Sequence, residues 1–77
     1  MPKVVVYTRT TCGPCKTIKY FLNKKGIPYE EMNIDDDPVA AREFSELTNV
    51  PMVPLVRVGD QQFQGMNISL LSKLLTA

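Results

Sequence analysis

The feature that most constrains this chain is its punctuation. Six prolines and four glycines in 77 residues stand at or beside the ends of apolar segments, which limits each segment to one short strand or helix. Lys3 to Thr8 is short and rich in β-branched residues, and reads as a buried first strand. Arg9 to Gly13 is a polar loop. Pro14 suits the first turn of a helix. The apolar positions of that helix are Cys15, Ile18, Phe21 and Leu22, a three-and-four spacing that makes one buried stripe. Lys16, Lys19 and Asn23 fall off the stripe, and Gly26 followed by Pro28 ends the helix. Tyr29 to Ile34 reads as a second strand. Asp37-Pro38 supplies an N-cap and a first-turn proline for a helix to about Leu47, with Ala40, Phe44 and Leu47 inward. Pro54 to Val58 is a third strand, Gly59-Asp60 a hairpin turn, and Gln61 to Gln64 a fourth strand. Ile68, Leu71, Leu74 and Leu75 share one side of a last helix. The order β-α-β-α-β-β-α predicts a parallel pair at the start and antiparallel pairing in the closing hairpin. The expectation is one α/β domain over residues 1–77, a four-stranded mixed sheet with helices on both faces.

Composition narrows the class. A hydrophobic fraction of 44% fits a globular chain rather than a disordered one. The longest apolar run, Val4-Val5-Val6 with Tyr7, is far short of the ~18 residues of a membrane span. No signal-peptide pattern opens the chain, so no membrane role and a cytoplasmic location are expected. Net charge is only +1, but it is unevenly spread. Lys3, Arg9, Lys16, Lys19, Lys24 and Lys25 precede any acid, and the acids then cluster from Glu30 to Glu46. The basic third is either a set of solvated helix faces or a surface that helps an acidic partner approach. Nucleic acid is not an expected partner, because total charge is low and basic and aromatic residues do not interleave. Asp35-Asp36-Asp37 reads as loop and cap, since the positions around it lack calcium-loop spacing.

The two cysteines, Cys12 and Cys15, close too small a loop to staple a fold. With no histidine and no third cysteine in the chain, they are at most half of a zinc site, and no metal is expected. Two inert buried thiols are the bland alternative, but core packing does not explain a Gly13-Pro14 insert at a helix start. The geometry suits redox chemistry. Cys12 stands just before the helix, where unpaired N–H groups and the helix dipole favour a negative sulfur. Arg9 and Lys16 are near in sequence and are candidates to add to that stabilisation. Cys15 lies one turn in, on the apolar stripe. Cys12 is therefore expected to be the exposed attacker of a substrate disulfide and Cys15 the shielded resolver. Pro14 stiffens the loop, Gly13 allows another chain close, and Thr11 completes the active-site loop. A C-x-x-C beside a β-α-β pattern is a strong signal for this chemistry.

The residues also carry a resemblance. Cys12-Gly13-Pro14-Cys15-Lys16 is identical to the thioredoxin active-site run, whereas Tyr7-Thr8-Arg9 resembles glutaredoxins. Val5-Val6-Tyr7-Thr8-Arg9, Asn33-Ile34-Asp35, Val53-Pro54-Leu55-Val56, and Gly59-Asp60 with Phe63-Gln64-Gly65 resemble the NrdH-type redoxins over nearly the whole chain. The resemblance implies a thioredoxin/glutaredoxin-like fold and a thiol–disulfide oxidoreductase with no cofactor beyond the Cys12–Cys15 disulfide. It implies a cis Val53-Pro54 bond, with Pro51 an ordinary loop proline, and substrate binding by Val53, Pro54 and Gly65. NrdH-type redoxins usually place other residues between their cysteines. Their late motif Trp-Ser-Gly-Phe-Arg-Pro-Asp is here Phe63-Gln64-Gly65-Met66-Asn67-Ile68-Ser69. The Gly-Gly pair and following acids of glutathione-binding glutaredoxins are missing, and only Arg9 matches their usual lysine. The expected partners are thioredoxin reductase as reductant and a disulfide protein such as ribonucleotide reductase as substrate. Glutathione binding is expected to be weak or absent, and the chain to be a monomer. The alternatives are a glutathione-dependent glutaredoxin, an iron–sulfur module shared by two chains, and a non-catalytic adaptor.

Overall fold

Three capped helices and four short strands follow the expected order in the computed structural model, which describes residues 3–76. The ends of the expected domain, residues 1, 2 and 77, lie outside the described residues. The elements are β1 (Val4–Thr8), α1 (Gly13–Lys24), β2 (Glu30–Asn33), α2 (Pro38–Leu47), β3 (Leu55–Val58), β4 (Gln61–Gln64) and α3 (Ile68–Thr76). The sheet order is β2-β1-β3-β4. β1 pairs with β2 in parallel, with Thr8 opposite Asn33. β3 runs antiparallel to both β1 and β4, with Leu55 opposite Tyr7 and Gln64. β3 starts at Leu55 rather than at Pro54, since proline has no N–H for the ladder.

Local chemistry sets each helix boundary. Cys12 caps α1 in an extended conformation, and Gly13 and Pro14 fill the first two helical positions. At the other end Gly26 takes φ 69°. Its N–H bonds Asn23 O at 3.1 Å and the Ile27 N–H bonds Leu22 O at 2.9 Å, the Schellman arrangement that glycine permits. Asp37 Oδ1 accepts from the Val39 N–H at 2.9 Å, and Asn67 Oδ1 accepts from the Leu70 N–H at 3.0 Å. Both are N-cap bonds.

Strand alternation sorts the core into two layers. Val4, Val6, Val56 and Val58 meet Ile18 and Leu22 of α1 and Leu71 of α3 on one face. Burying each such side chain stabilises the fold by ~1.5–3 kcal/mol. Tyr7 and Leu55 meet Phe44 of α2 on the other face, with Val5, Met32, Leu47 and Val53 at the edges. Arg57 shares this second face. Among the described residues its buried Nε has no partner, and it lies beside a cavity of about 220 Å³ lined by Tyr7, Glu43, Glu46, Leu47 and Arg57.

Candidate functional site

The ends of three strands converge. β1 finishes at Thr8, β3 begins at Leu55 opposite Tyr7, and β4 finishes at Gln64 opposite Leu55. The loop into α1, the loop into β3 and the turn after β4 therefore leave the same end of the sheet. That end collects Arg9 to Cys15, Val53-Pro54 and Gly65.

Cys12 and Cys15 are joined as a disulfide, with their Cα atoms 5.3 Å apart. The Cys15 N–H donates to Cys12 Sγ at 3.1 Å, and the Lys16 N–H donates to Cys12 O at 3.3 Å. Cys12 thus caps the helix with sulfur in place of the usual oxygen. A sulfur held there faces the positive end of the helix dipole, and no acid in the first turn opposes it. Cys15 is 1% exposed and Cys12 is 8% exposed. The expected order of exposure holds, but the expectation that Cys12 is an open residue needs correction. The bond to Cys15 and the cap geometry draw it against the first turn. Gly13 is exposed, and a Cβ there would meet nothing within 4 Å. The loop beside the disulfide therefore has room outside it. Thr11 is also exposed.

Arg9 is paired with an acid of the neighbouring loop. Arg9 Nε and one terminal nitrogen each lie 3.1 Å from Asp35 Oδ1. Lys16 is exposed, and among the described residues no hydrogen bond links either side chain to Cys12. The acid that pairs with Arg9 also holds the loop, because Asp35 Oδ2 accepts from the Thr10 N–H at 3.0 Å. The Thr10 N–H and the Arg9 guanidinium together keep the Asp35 carboxyl below its ordinary value. Beneath this loop, Thr8 Oγ1 and Lys19 Nζ both donate to Glu31 Oε2 at 2.9 Å. Burial pushes the Glu31 carboxyl up, but these two bonds and the Lys19 charge outweigh it and leave it lowered.

The bond between Val53 and Pro54 is cis, as the resemblance to NrdH-type redoxins implies. Val53 is half-buried against the second core layer and Pro54 is buried. The Gly65 N–H donates to Pro54 O at 2.8 Å. Gly65 has φ 92°, which strains any other residue, although a Cβ there would make only an ordinary contact with Met52 Sδ at 3.6 Å. Sequence reasoning missed Gln64 and gave Asp35 only a loop role. Gln64 ends β4 and Asp35 stands in the turn just past β2, and a polar side chain at or just past a strand end is the signal that points to such clamps. Among the described residues no three His, Cys, Asp or Glu side chains gather to hold a metal ion. Among the described residues no helix is long and apolar enough to cross a membrane.

Comparison with known proteins agrees with this geometry. The glutaredoxin family model matches residues 4–63. The glutaredoxin-like protein NrdH of Lactococcus lactis subsp. lactis is 32% identical over 71 residues, covering 92% of this chain and 97% of that protein. The crystal structure of the thioredoxin-like protein BC3987 superposes with a TM-score of 0.87 at 29% identity, over 94% of this chain and 99% of the other. The glutaredoxin-like NrdH-redoxin of Escherichia coli, described as having a thioredoxin-like activity profile, gives 0.82 at 26% identity. There the match covers 94% of this chain and 93% of that one.

Proposed function

This chain belongs to the glutaredoxin family and is a thiol–disulfide oxidoreductase, and from that premise we propose that it is a dithiol electron donor for protein disulfides, recharged by thioredoxin reductase. The observation that carries the reading is the sulfur-capped helix: Cys12 Sγ accepts from the Cys15 N–H at 3.1 Å while Cys15 lies beneath it, buried. In the reduced protein the same N–H and the helix dipole favour a thiolate on Cys12 over one on Cys15.

The cycle follows from that difference. The Cys12 thiolate attacks one sulfur of a substrate disulfide, forming a mixed disulfide and expelling the other substrate sulfur as a thiolate. Cys15 gives up its proton and attacks Cys12 Sγ, which forms the Cys12–Cys15 bond and releases the second substrate sulfur. Two electrons pass to the substrate, whose two released thiolates take up the Cys15 proton and one proton from solvent. The reductase returns the two electrons. Thr11, Gly13 and Pro14 shape the loop around the disulfide, and the Val53-Pro54 backbone with Gly65 forms the ledge that receives the substrate chain. Arg9 and Lys16 act only as a diffuse positive field around the site, because Arg9 is paired with Asp35.

Ribonucleotide reductase is the target that the resemblance to NrdH-type redoxins implies. Glutathione is a poor fit, since Gln64-Gly65-Met66-Asn67 carries neither the second glycine nor the acids of glutathione-binding glutaredoxins. We place the protein in the cytoplasm as a monomer, with no resident cofactor. The test is insulin reduction driven by NADPH through thioredoxin reductase, run beside a glutathione and glutathione reductase arm. Turnover in the first arm and little in the second is expected. The reverse pattern would make the protein a glutathione-dependent glutaredoxin.

A further inference from the structure

We propose that Gln64 is a positioning residue for the substrate ledge, setting affinity for protein disulfides without altering the Cys12–Cys15 couple. The inference rests on the reading above, in which the backbone at Val53 receives the substrate chain. The loop from Thr48 to Val53 belongs to no helix or strand. It is poorly packed as well: Val50 and Met52 are each 49% exposed, and Asn49 and Pro51 are exposed. Hydrophobic burial therefore does little to order it.

One side chain does that instead. Gln64 Nε2 donates to Val50 O at 2.8 Å and to Met52 O at 3.0 Å. Its Oε1 accepts from Thr48 Oγ1 at 3.0 Å. Thr48 Oγ1 in turn accepts from the Val50 N–H at 3.0 Å. Both donor hydrogens of the amide and its acceptor are engaged, which fixes the amide's orientation. The anchor is rigid, because Gln64 is paired with Leu55 in the sheet. The next residue completes the hold, as the Gly65 N–H bonds Pro54 O. Val53 thus sits between two carbonyls, Met52 O and Pro54 O, both tied to the end of β4. Among the described residues none of the loop hydrogen bonds uses the Val53 backbone itself, so it is held in place and left free to pair. Ordering a ledge before binding lowers the entropy cost of binding. A residue that acts this way changes KM for a chain-like substrate and leaves the sulfur chemistry alone.

The experiment compares wild type with Gln64→Ala on two substrates, insulin and dithiodiethanol, a small disulfide with no chain to lie on a ledge. For insulin, KM is expected to rise roughly five- to tenfold with kcat within about twofold, an effect equivalent to about one net hydrogen bond. For dithiodiethanol neither constant should move, and neither should the equilibrium constant for Cys12–Cys15 against a dithiothreitol buffer. An unmoved insulin KM, or equal losses on both substrates, would overturn the inference. Should Gln64→Ala lose its cooperative melt, Gln64→Glu carries the same test, since it keeps the size and the acceptor but sets a carboxylate against two carbonyls. Thr48→Val, which removes one of the three bonds, should raise the insulin KM by a smaller factor. A wild type that reduces dithiodiethanol but not insulin would defeat the protein-disulfide reading itself. A wild type active on both, with the variants unmoved, would defeat only the role of Gln64.

Discussion

The two faces of the sheet are built differently, and the redox site draws on both. The face under α1 and α3 is dry, with valines from β1 and β3 packed on Ile18, Leu22 and Leu71. Its polar contacts lie at the rim, where Thr8 and Lys19 meet Glu31. The face under α2 mixes Tyr7, Phe44 and Leu55 with an arginine whose Nε lacks a partner among the described residues. The Tyr7 and Phe44 rings lie 6.2 Å apart, tilted, and Tyr7 Oη donates to Glu43 at 3.1 Å. α1 carries the cysteines and is seated on the dry face. Val53 packs on the mixed face. The sulfur chemistry thus rests on the wholly apolar layer, and the substrate ledge on the layer that also holds a buried polar group.

The sharpest way to break this comparison is to cut the dry face. Leu22→Ala removes a fully buried side chain under α1 and is expected to cost ~2–5 kcal/mol, read as a lower urea midpoint. Leu47→Ala, at the half-buried edge of the mixed face, should cost less. Equal losses would mean that the two layers do not differ in packing.

A smaller change probes the mixed face. Tyr7→Phe removes the hydroxyl bond to Glu43 and is expected to cost ~0.5–1.5 kcal/mol in urea unfolding. In the wild type, burial first and the nearby Glu43 carboxylate second raise the Tyr7 phenol above its ordinary value. A spectroscopic titration of the wild type should show a tyrosine ionising above the ordinary phenol range, and Tyr7→Phe should lack that component. A titration curve unchanged by Tyr7→Phe in that range would contradict the buried Tyr7–Glu43 contact.

The smallest effect belongs to the rim of the dry face. Glu31 is lowered in the folded protein, so the unfolded chain binds its proton at a higher pH than the folded one. Its contribution is therefore present above the ordinary glutamate range and is lost as the pH falls through the lowered folded value. Glu31→Gln should flatten that part of the acid limb of a stability-against-pH curve, by a modest amount because the pair is partly exposed. An unchanged acid limb would show that the ion pair with Lys19 contributes nothing measurable.

Much of this was legible in the chain. The α1 boundaries follow from Pro14 and Gly26, and the buried stripe from the spacing of Cys15, Ile18 and Leu22. These are local signals, and local signals survive folding. The cis Val53-Pro54 bond followed from the family resemblance rather than from a local signal. The pairing of Arg9 with Asp35 did not, because it joins residues 26 apart through the β1–β2 register. Gln64 and its loop partners are likewise joined only when β4 comes alongside β3. Arg57 lies within the expected third strand, and the cavity beside it is closed by Glu43, Glu46 and Leu47 of α2, which the sequence alone does not place there. Cys12 is less open than its loop position suggested, since side-chain capping and the sulfur–sulfur bond act together.

The division of labour between the two sulfurs is the central claim, and trapping a mixed disulfide tests it most directly. Reduced Cys15→Ser, mixed with insulin or another disulfide protein, should accumulate a covalent complex through Cys12 that dithiothreitol releases, while Cys12→Ser should form none. A complex trapped by Cys12→Ser and absent with Cys15→Ser would contradict the account.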